Sequence, residues 1–198
     1  MKKILFAASC AAMFAATPSF AQASDSESFQ ITASVPGTCT IGNPGTINLN
    51  SLNVNTTAGA NALTLVNAGN TGYVGSSTNN FWVSCNDVNK MTITSANNGR
   101  LVRSGAAPTA EEAAQGFTNR IAYHIGATNY RPGVDWQYQP TLNEGANNNY
   151  MNHTRGAIHQ EVGMMARIAS GGNSANVGKR PLAGTYSDTV TVTVQIAA

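Results

Sequence analysis

The side chains that could do chemistry are few in this 198-residue chain, and they are scattered along it. His124, His153 and His159 do not pair at the spacing of metal ligands, so we expect surface or half-buried histidines. Glu111 and Glu112 are adjacent, and neighbours on a helix point about 100° apart, so they cannot face each other as a catalytic acid–base pair must. The sequence has no Gly-x-Ser-x-Gly motif, phosphate-binding loop or Cys–His nucleophile arrangement. We therefore expect no enzymatic activity, no metal and no cofactor.

Aromatic residues are the second group with a chemical use. A flat platform for a sugar ring would make the protein a secreted carbohydrate-binding or hydrolytic domain, which is one alternative. The interpretation that we favour makes the same residues core and rim aromatics of a β-sandwich. The residues concerned are Trp82, Trp136, Tyr123, Tyr130 and Tyr138.

The amino terminus has the pattern of a secretory signal peptide. Lys2 and Lys3 are followed by an apolar stretch over residues 4–16, and residues 21–23 (Ala-Gln-Ala) fit the small-x-small cleavage rule. We predict a signal peptide over residues 1–23, since the apolar run is too short for a membrane span. No second long apolar run follows, so no membrane span is expected.

Removal of this leader changes the cysteine count and the charge. Cys10 is lost, which leaves Cys39 and Cys85 to form one disulfide in an oxidising compartment. Closing a loop of about 47 residues stabilises the fold by roughly 4 kcal/mol on the chain-entropy model. Nine basic residues then balance nine acidic ones, which argues against a nucleic-acid or anionic-lipid partner. About 175 residues remain, enough for one domain.

Strand periodicity is clearest at the two ends of the mature chain. Near its start, apolar residues alternate with polar ones until Pro36-Gly37 interrupts the pattern: Phe29, Ile31, Ala33 and Val35. At its end, residues 185–196 predict one long strand with a single apolar face: Val190, Val192, Val194 and Ile196.

The middle of the chain predicts short strands linked by turns. Strand patterns occur at residues 81–85, 91–93, 121–125 and 134–138, with a hairpin at 86–89. Residues 162–168 fit either a strand or a helical fragment. Residues 108–116 predict one short helix with a capping box, whereas residues 139–155 and 170–181 are loop-like. Short strands and almost no helix predict an antiparallel β-sandwich.

Three stretches in their order resemble the spore coat protein U domain, which also forms the pilin subunits of archaic chaperone–usher fimbriae. They are residues 31–41 (ITASVPGTCTI), 81–86 (FWVSCN) and 183–192 (AGTYSDTVTV), the last with a Gly-x-Tyr-x-Asp turn before an alternating strand. The sequence departs from the family after Tyr123, across 139–180, and at its end, where the terminal aromatic is missing.

The resemblance implies an incomplete immunoglobulin-like antiparallel β-sandwich that a donor strand completes. Residues 24–37 would form the donor-strand extension and residues 38–198 the pilin-like domain. The donor residues would be Phe29, Ile31, Ala33 and Val35, and the acceptor groove and chaperone-binding strand would hold Val190, Val192, Val194 and Ile196. The implied partners are other copies or related subunits, a periplasmic chaperone and an outer-membrane usher.

The expected function is thus a structural subunit of a surface fimbria, exported through the periplasm and serving adhesion or biofilm formation. The main alternative is a self-complemented coat protein or adhesin, in which residues 29–35 pair with their own domain.

Overall fold

The structure is a computed structural model that describes residues 26–66, 73–131, 134–138, 154–169 and 175–197. The predicted signal peptide lies outside the described residues, as does residue range 139–153 of the predicted Asn-rich loop. Contacts divide the chain into one unit that ends at Val35 and a second that begins at Pro36. Within the described residues, no helix is both long and apolar enough to cross a membrane.

The second unit is built almost entirely from strands. Their bounds, with one helix among them, are as follows: β1 Cys39–Ile41, β2 Tyr73–Cys85, β3 Asn89–Ser95, β4 Arg100–Arg103, α1 Ala110–Ala114, β5 Phe117–Thr118, β6 Arg120–Ala122, β7 His124–Thr128, β8 Val134–Tyr138, β9 Thr154–Arg155, β10 Ile158–Ala169, β11 Arg180–Pro181, β12 Tyr186–Ser187 and β13 Val190–Ile196.

These strands form sheets whose pairing is antiparallel, except for the short parallel pair β5–β11. The largest sheet has the order β1-β2-β10-β7-β8, and β2 pairs with β10 along nearly its whole length. Two three-stranded sheets have the orders β13-β3-β9 and β12-β4-β6. The prediction of an all-β antiparallel, sandwich-like fold is therefore confirmed.

Period-two alternation places the core. On β3, at residues 81–85 of β2 and at residues 162–168 of β10, alternate side chains are buried and most of the intervening ones face outward. Residues 162–168, which the sequence left open between strand and helix, lie within β10. The core-facing residues of these strands are Phe81, Val83, Cys85, Met91, Ile93, Val162, Met164, Ala166 and Ile168.

One of two local predictions is confirmed by hydrogen bonds. Helix α1 begins after Thr109, whose hydroxyl accepts from the Glu112 amide while the Glu112 carboxylate accepts from the Thr109 amide, which is a capping box. The hairpin predicted at residues 86–89 is wrong. These residues connect β2 to β3, but the two strands do not pair and lie in different sheets, because β2 pairs with β1 and β10 while β3 pairs with β13 and β9.

The prediction of one long strand over residues 185–196 is wrong. Residues 186–187 form β12 and pair with β4, whereas residues 190–196 form β13 and pair with β3 in another sheet. The chain changes sheets at Asp188 and Thr189. Asp188 is held there by side-chain hydrogen bonds that no periodicity could reveal.

Candidate functional site: the open edge of the C-terminal strand

Strand β13 has two chemically distinct faces. Thr191, Thr193 and Gln195 are exposed. The alternate residues are half-buried and pack against the buried core: Val190, Val192, Val194 and Ile196. Because β13 is the edge strand of its sheet, these four residues form an apolar stripe along the margin of the core.

The backbone of the same four residues is unpaired on one side. The Ala96 amide donates to the Thr189 carbonyl at 2.9 Å, and the Ala197 amide donates to the Val88 carbonyl at 2.8 Å. In an antiparallel ladder alternate residues exchange these bonds, so Thr189 and every second residue after it point their amide and carbonyl groups at β3. The groups of Val190, Val192, Val194 and Ile196 point the other way, where no strand of the described chain pairs with them.

The core-facing side chains of β13 are more exposed than those of the neighbouring strand β3. Val192 lies opposite Ile93, and Val194 lies opposite Met91. Met91 and Ile93 are 0% and 1% exposed, whereas the two valines beside them remain half-buried. The core is therefore shielded from solvent at β3 but only partly shielded at β13.

Strand β1 lies near β13 without sharing a ladder with it. β1 is an edge strand of the five-stranded sheet and β13 an edge strand of a three-stranded sheet. The segment after β1 forms no strand, yet it adds half-buried side chains to the core: Ile47, Leu49, Leu52 and Val54. We name the four core-facing residues of β13, together with their unpaired backbone, the acceptor edge.

The N-terminal segment carries a matching pattern. Residues 26–35 form no helix or strand, although their alternation predicts a strand. Phe29, Ile31 and Val35 are 84%, 84% and 81% exposed, and Ala33 is exposed as well. Large apolar side chains are rarely this exposed in a row, because each forgoes about 1.5–3 kcal/mol of burial.

The second unit begins at a point that is held firmly. The Asn86 side chain accepts from the Thr38 amide at 2.7 Å and donates to the Pro36 carbonyl at 3.0 Å. The Asn86 amide also donates to the Thr38 carbonyl at 3.2 Å. A Cβ atom added to Gly37 would lie 3.4 Å from Cγ1 of Ile196, so the chain passes close to the C-terminal end of the acceptor edge.

We call the hydrogen bonds of Asn86 to Pro36 and Thr38 the anchor. The predicted disulfide is confirmed and lies beside it. Cys39 on β1 and Cys85 on β2 are directly opposite each other, with 4.2 Å between their Cα atoms. That separation is typical of a pair without ladder hydrogen bonds between the two residues, where side chains approach closely. The disulfide thus joins the first strand of the unit to β2 immediately before Asn86.

Neither the alternating part of the N-terminal segment nor the C-terminal strand carries a charged side chain. Residues 29–35 and 189–197 contain no acidic or basic side chain. Burying one segment against the other would therefore not require desolvation of any ionised group, which is the main cost of burying polar surface.

Sequence reasoning missed the role of Asp188. One carboxylate oxygen accepts from the Ser95 hydroxyl and, at 2.6 Å, from the Tyr123 hydroxyl. The other accepts from the Asn97 amide and side chain and from the Thr189 amide. Asp188 therefore joins β3 and the chain between β6 and β7 to the start of β13. The only signal in the sequence was its place in the Gly-x-Tyr-x-Asp turn.

The structure does not bring the five aromatic residues together as one platform. Tyr123 and Tyr130 are buried in the core, whereas Trp82 is exposed on the outer face of β2. Nothing is described for the side chains of Trp136 and Tyr138. The alternative of a five-membered sugar platform is therefore wrong for its two buried tyrosines.

The remaining polar chemistry is sparse in the described part of the chain. Ser84 Oγ and His159 Nδ1 lie 2.8 Å apart on the outer face of the five-stranded sheet. No group of three or more His, Cys, Asp and Glu side chains among the described residues is placed to hold a metal ion. His153 lies outside the described residues.

Two titratable groups are shifted by burial. Burial lowers the pKa of the His124 imidazole below its ordinary value, and the Arg167 guanidinium opposite it on β10 lowers that pKa further. Burial raises the pKa of the Tyr186 hydroxyl, with the Arg103 guanidinium acting in the opposite direction. The Tyr186 hydroxyl donates to the Leu182 carbonyl at 2.7 Å, which makes it a structural group.

A scan against protein-family models finds no matching family, and a search of curated proteins finds no significant match.

Proposed function

We propose that this protein is a structural subunit of a bacterial surface fibre whose copies are linked by strand addition. Residues 29–35 of one copy lie along the acceptor edge of the next and form the ladder that β13 lacks on its open side. One observation carries the proposal. The same chain has an apolar edge strand with unpaired backbone and an exposed segment with complementary alternation.

The energetics favour such a linkage. Alternation directs the apolar side chains of the segment toward the core and leaves its polar side chains outward. Phe29, Ile31 and Val35 each contribute about 1.5–3 kcal/mol when fully buried. Backbone hydrogen bonds to β13 add to this, as in other cases of strand addition to a sheet edge.

The proposal includes partners in assembly. An open apolar edge is prone to aggregation, so a periplasmic chaperone would cover it before an outer-membrane usher exchanges it for the next subunit. The resemblance to the spore coat protein U domain and to archaic chaperone–usher pilins supports this route. Export by the predicted signal peptide would deliver the chain to it. Adhesion or biofilm formation is the role that such fibres would serve.

A matched pair of variants tests the donor segment. Ile31→Asp should weaken the linkage between subunits, because the carboxylate would enter the core without a partner. Thr32→Asp makes the same kind of change one residue away on the outward face, and its linkage should stay near wild type. Fibre ladders that resist heat equally in both variants would contradict the proposal, as would normal fibres from a chain that lacks residues 24–35.

A self-complemented monomer is the alternative, and cysteine pairs separate it from a polymer. Because Gly37 lies beside Ile196, an extension folded onto its own domain would run parallel to β13 and place Ser34, three residues before Gly37, near Thr193. Antiparallel addition from another copy, with Val35 opposite Val190, would place Ser34 near Thr191, about 7 Å away along the strand.

The double variants to compare are Ser34→Cys with Thr193→Cys, and Ser34→Cys with Thr191→Cys. Cross-links between chains on a non-reducing gel, in either variant, support the polymer. A cross-link confined to single chains in the first variant, together with a monodisperse monomer by light scattering, would establish the alternative instead.

A further inference from the structure

Trp82 is an exposed aromatic side chain on β2, near the end of that strand in the five-stranded sheet. It is 54% exposed, although its neighbours Phe81 and Val83 on β2 are buried on the opposite face. The ring therefore contributes little to the core. An indole ring combines a large apolar face with a polar N–H at its edge, a combination that is enriched at binding interfaces.

The orientation of this ring is supported by a histidine. The ring centroids of Trp82 and His159 lie 5.0 Å apart with 38° between the ring planes. The His159 imidazole is itself held by Ser84, at 2.8 Å from Nδ1. The two rings thus form a fixed surface across β2 and β10.

Polar groups surround the ring. Glu161 lies directly opposite Trp82, and Asn80 lies two residues along β2, so both side chains share its outward face. Both are exposed. The side chains of Asn80 and Glu161 make no hydrogen bond within the described part of the chain, and neither does the indole N–H of Trp82. They therefore offer a carboxylate, an amide and an indole donor to a ligand.

A shallow groove continues this surface toward the end of the strands. It has a volume of about 550 Å³ and is open to solvent. His159 and Ser84 line it, together with two hydroxyl-bearing residues, Thr40 on β1 and Thr38 immediately before that strand. A groove of this size is within the range of small-molecule sites.

We propose that Trp82 and the groups around it bind a neutral saccharide. A pyranose ring presents an apolar face of C–H groups that stacks on an indole, and its edge carries hydroxyls that donate to a carboxylate and an amide oxygen. Glu161 is the charged group of the patch and disfavours sulfated or otherwise anionic sugars. In a fibre, the site would repeat in every subunit and gain avidity.

Titration with cellotriose and with the trimer of N-acetylglucosamine tests the site. The chain has two tryptophans, so a Trp136→Phe variant leaves Trp82 as the single indole reporter. Binding of either trimer should change its fluorescence. Calorimetry on the unmodified chain should give the same affinity as the fluorescence titration, and it replaces that titration if Trp136→Phe does not fold. No binding of either trimer would overturn the proposal.

Three variants locate the site. Trp82→Ala should weaken binding about tenfold or more through lost stacking, and Glu161→Ala about tenfold through lost charge-assisted hydrogen bonds. Val88→Ala removes another exposed apolar side chain, on the turn before β3, and should leave the affinity unchanged. Equal affinity in wild type and Trp82→Ala would place the sugar elsewhere and overturn the assignment.

Two further outcomes would also overturn it. Tighter binding of a sulfated oligosaccharide than of the neutral trimers would contradict the assigned ligand class. A Trp82 signal that changes with protein concentration in the absence of sugar would show that another copy of the chain covers the ring. Because β2 and β13 belong to different sheets, these outcomes do not depend on whether the proposed strand addition occurs.

Discussion

Replacing Asp188 by alanine should destabilise the domain more than replacing an exposed carboxylate such as Asp87. Asp188 accepts hydrogen bonds from two buried residues, Ser95 and Tyr123, and from the backbone at Asn97 and Thr189. Each hydrogen bond to a charged group contributes about 1.5–3 kcal/mol. The two bonds from buried hydroxyls therefore contribute about 3–6 kcal/mol. The net loss on substitution is smaller, because the carboxylate no longer has to be desolvated and water can enter to bind the hydroxyls.

We expect a loss of about 3 kcal/mol in the free energy of unfolding, measured by urea denaturation with the disulfide intact. With a slope of about 2 kcal/mol per molar urea, the midpoint should fall by about 1.5 M. Asp188→Asn keeps one acceptor oxygen, so its loss should be smaller.

Asp87→Ala is the matched control for this experiment. Asp87 is exposed, and its carboxylate accepts from the adjacent Val88 amide at 2.7 Å. Its removal should cost less than about 1 kcal/mol. If Asp188→Ala and Asp87→Ala unfold at the same urea concentration, the carboxylate of Asp188 does not hold the start of β13, and the account of the strand break given above is refuted.

Three further predictions concern the anchor and the core. Replacing Cys39 and Cys85 by serine should lower the free energy of unfolding by roughly 4 kcal/mol, since the separation of 46 residues closes a long loop; a reduced wild-type chain with unchanged stability would contradict this. Asn86→Ala should cost about 1–3 kcal/mol and speed protease cleavage near residue 37, because three hydrogen bonds to the departing chain are lost or loosened; cleavage at the wild-type rate would count against the anchor. Because the pKa of His124 is lowered in the folded state, the unfolded chain binds more protons, so stability should decline as pH falls below about 6.5. His124→Gln should flatten that part of the pH profile, and an equally steep decline in this variant would assign it to other groups.

Features that depend on short-range chemistry could be predicted from the order of the residues. The two cysteines that follow the predicted leader can pair in only one way, and the structure has that disulfide. Thr109 and Glu112 have the spacing of a capping box, which requires three residues and no tertiary contact. Alternation identified the apolar face of residues 190–196, since side chains on a strand point to opposite sides in turn.

Only the tertiary structure decided which strands pair and where the sheets end. A strand needs a partner, and its identity depends on contacts distant in sequence, so residues 26–35 alternate yet form no strand in the single chain. The break at Asp188 depends on hydroxyls about 65 and 93 residues away. Likewise, alternation could not say that Trp82 faces water while Tyr123 is buried, because the face that meets the core is fixed only when the layers pack.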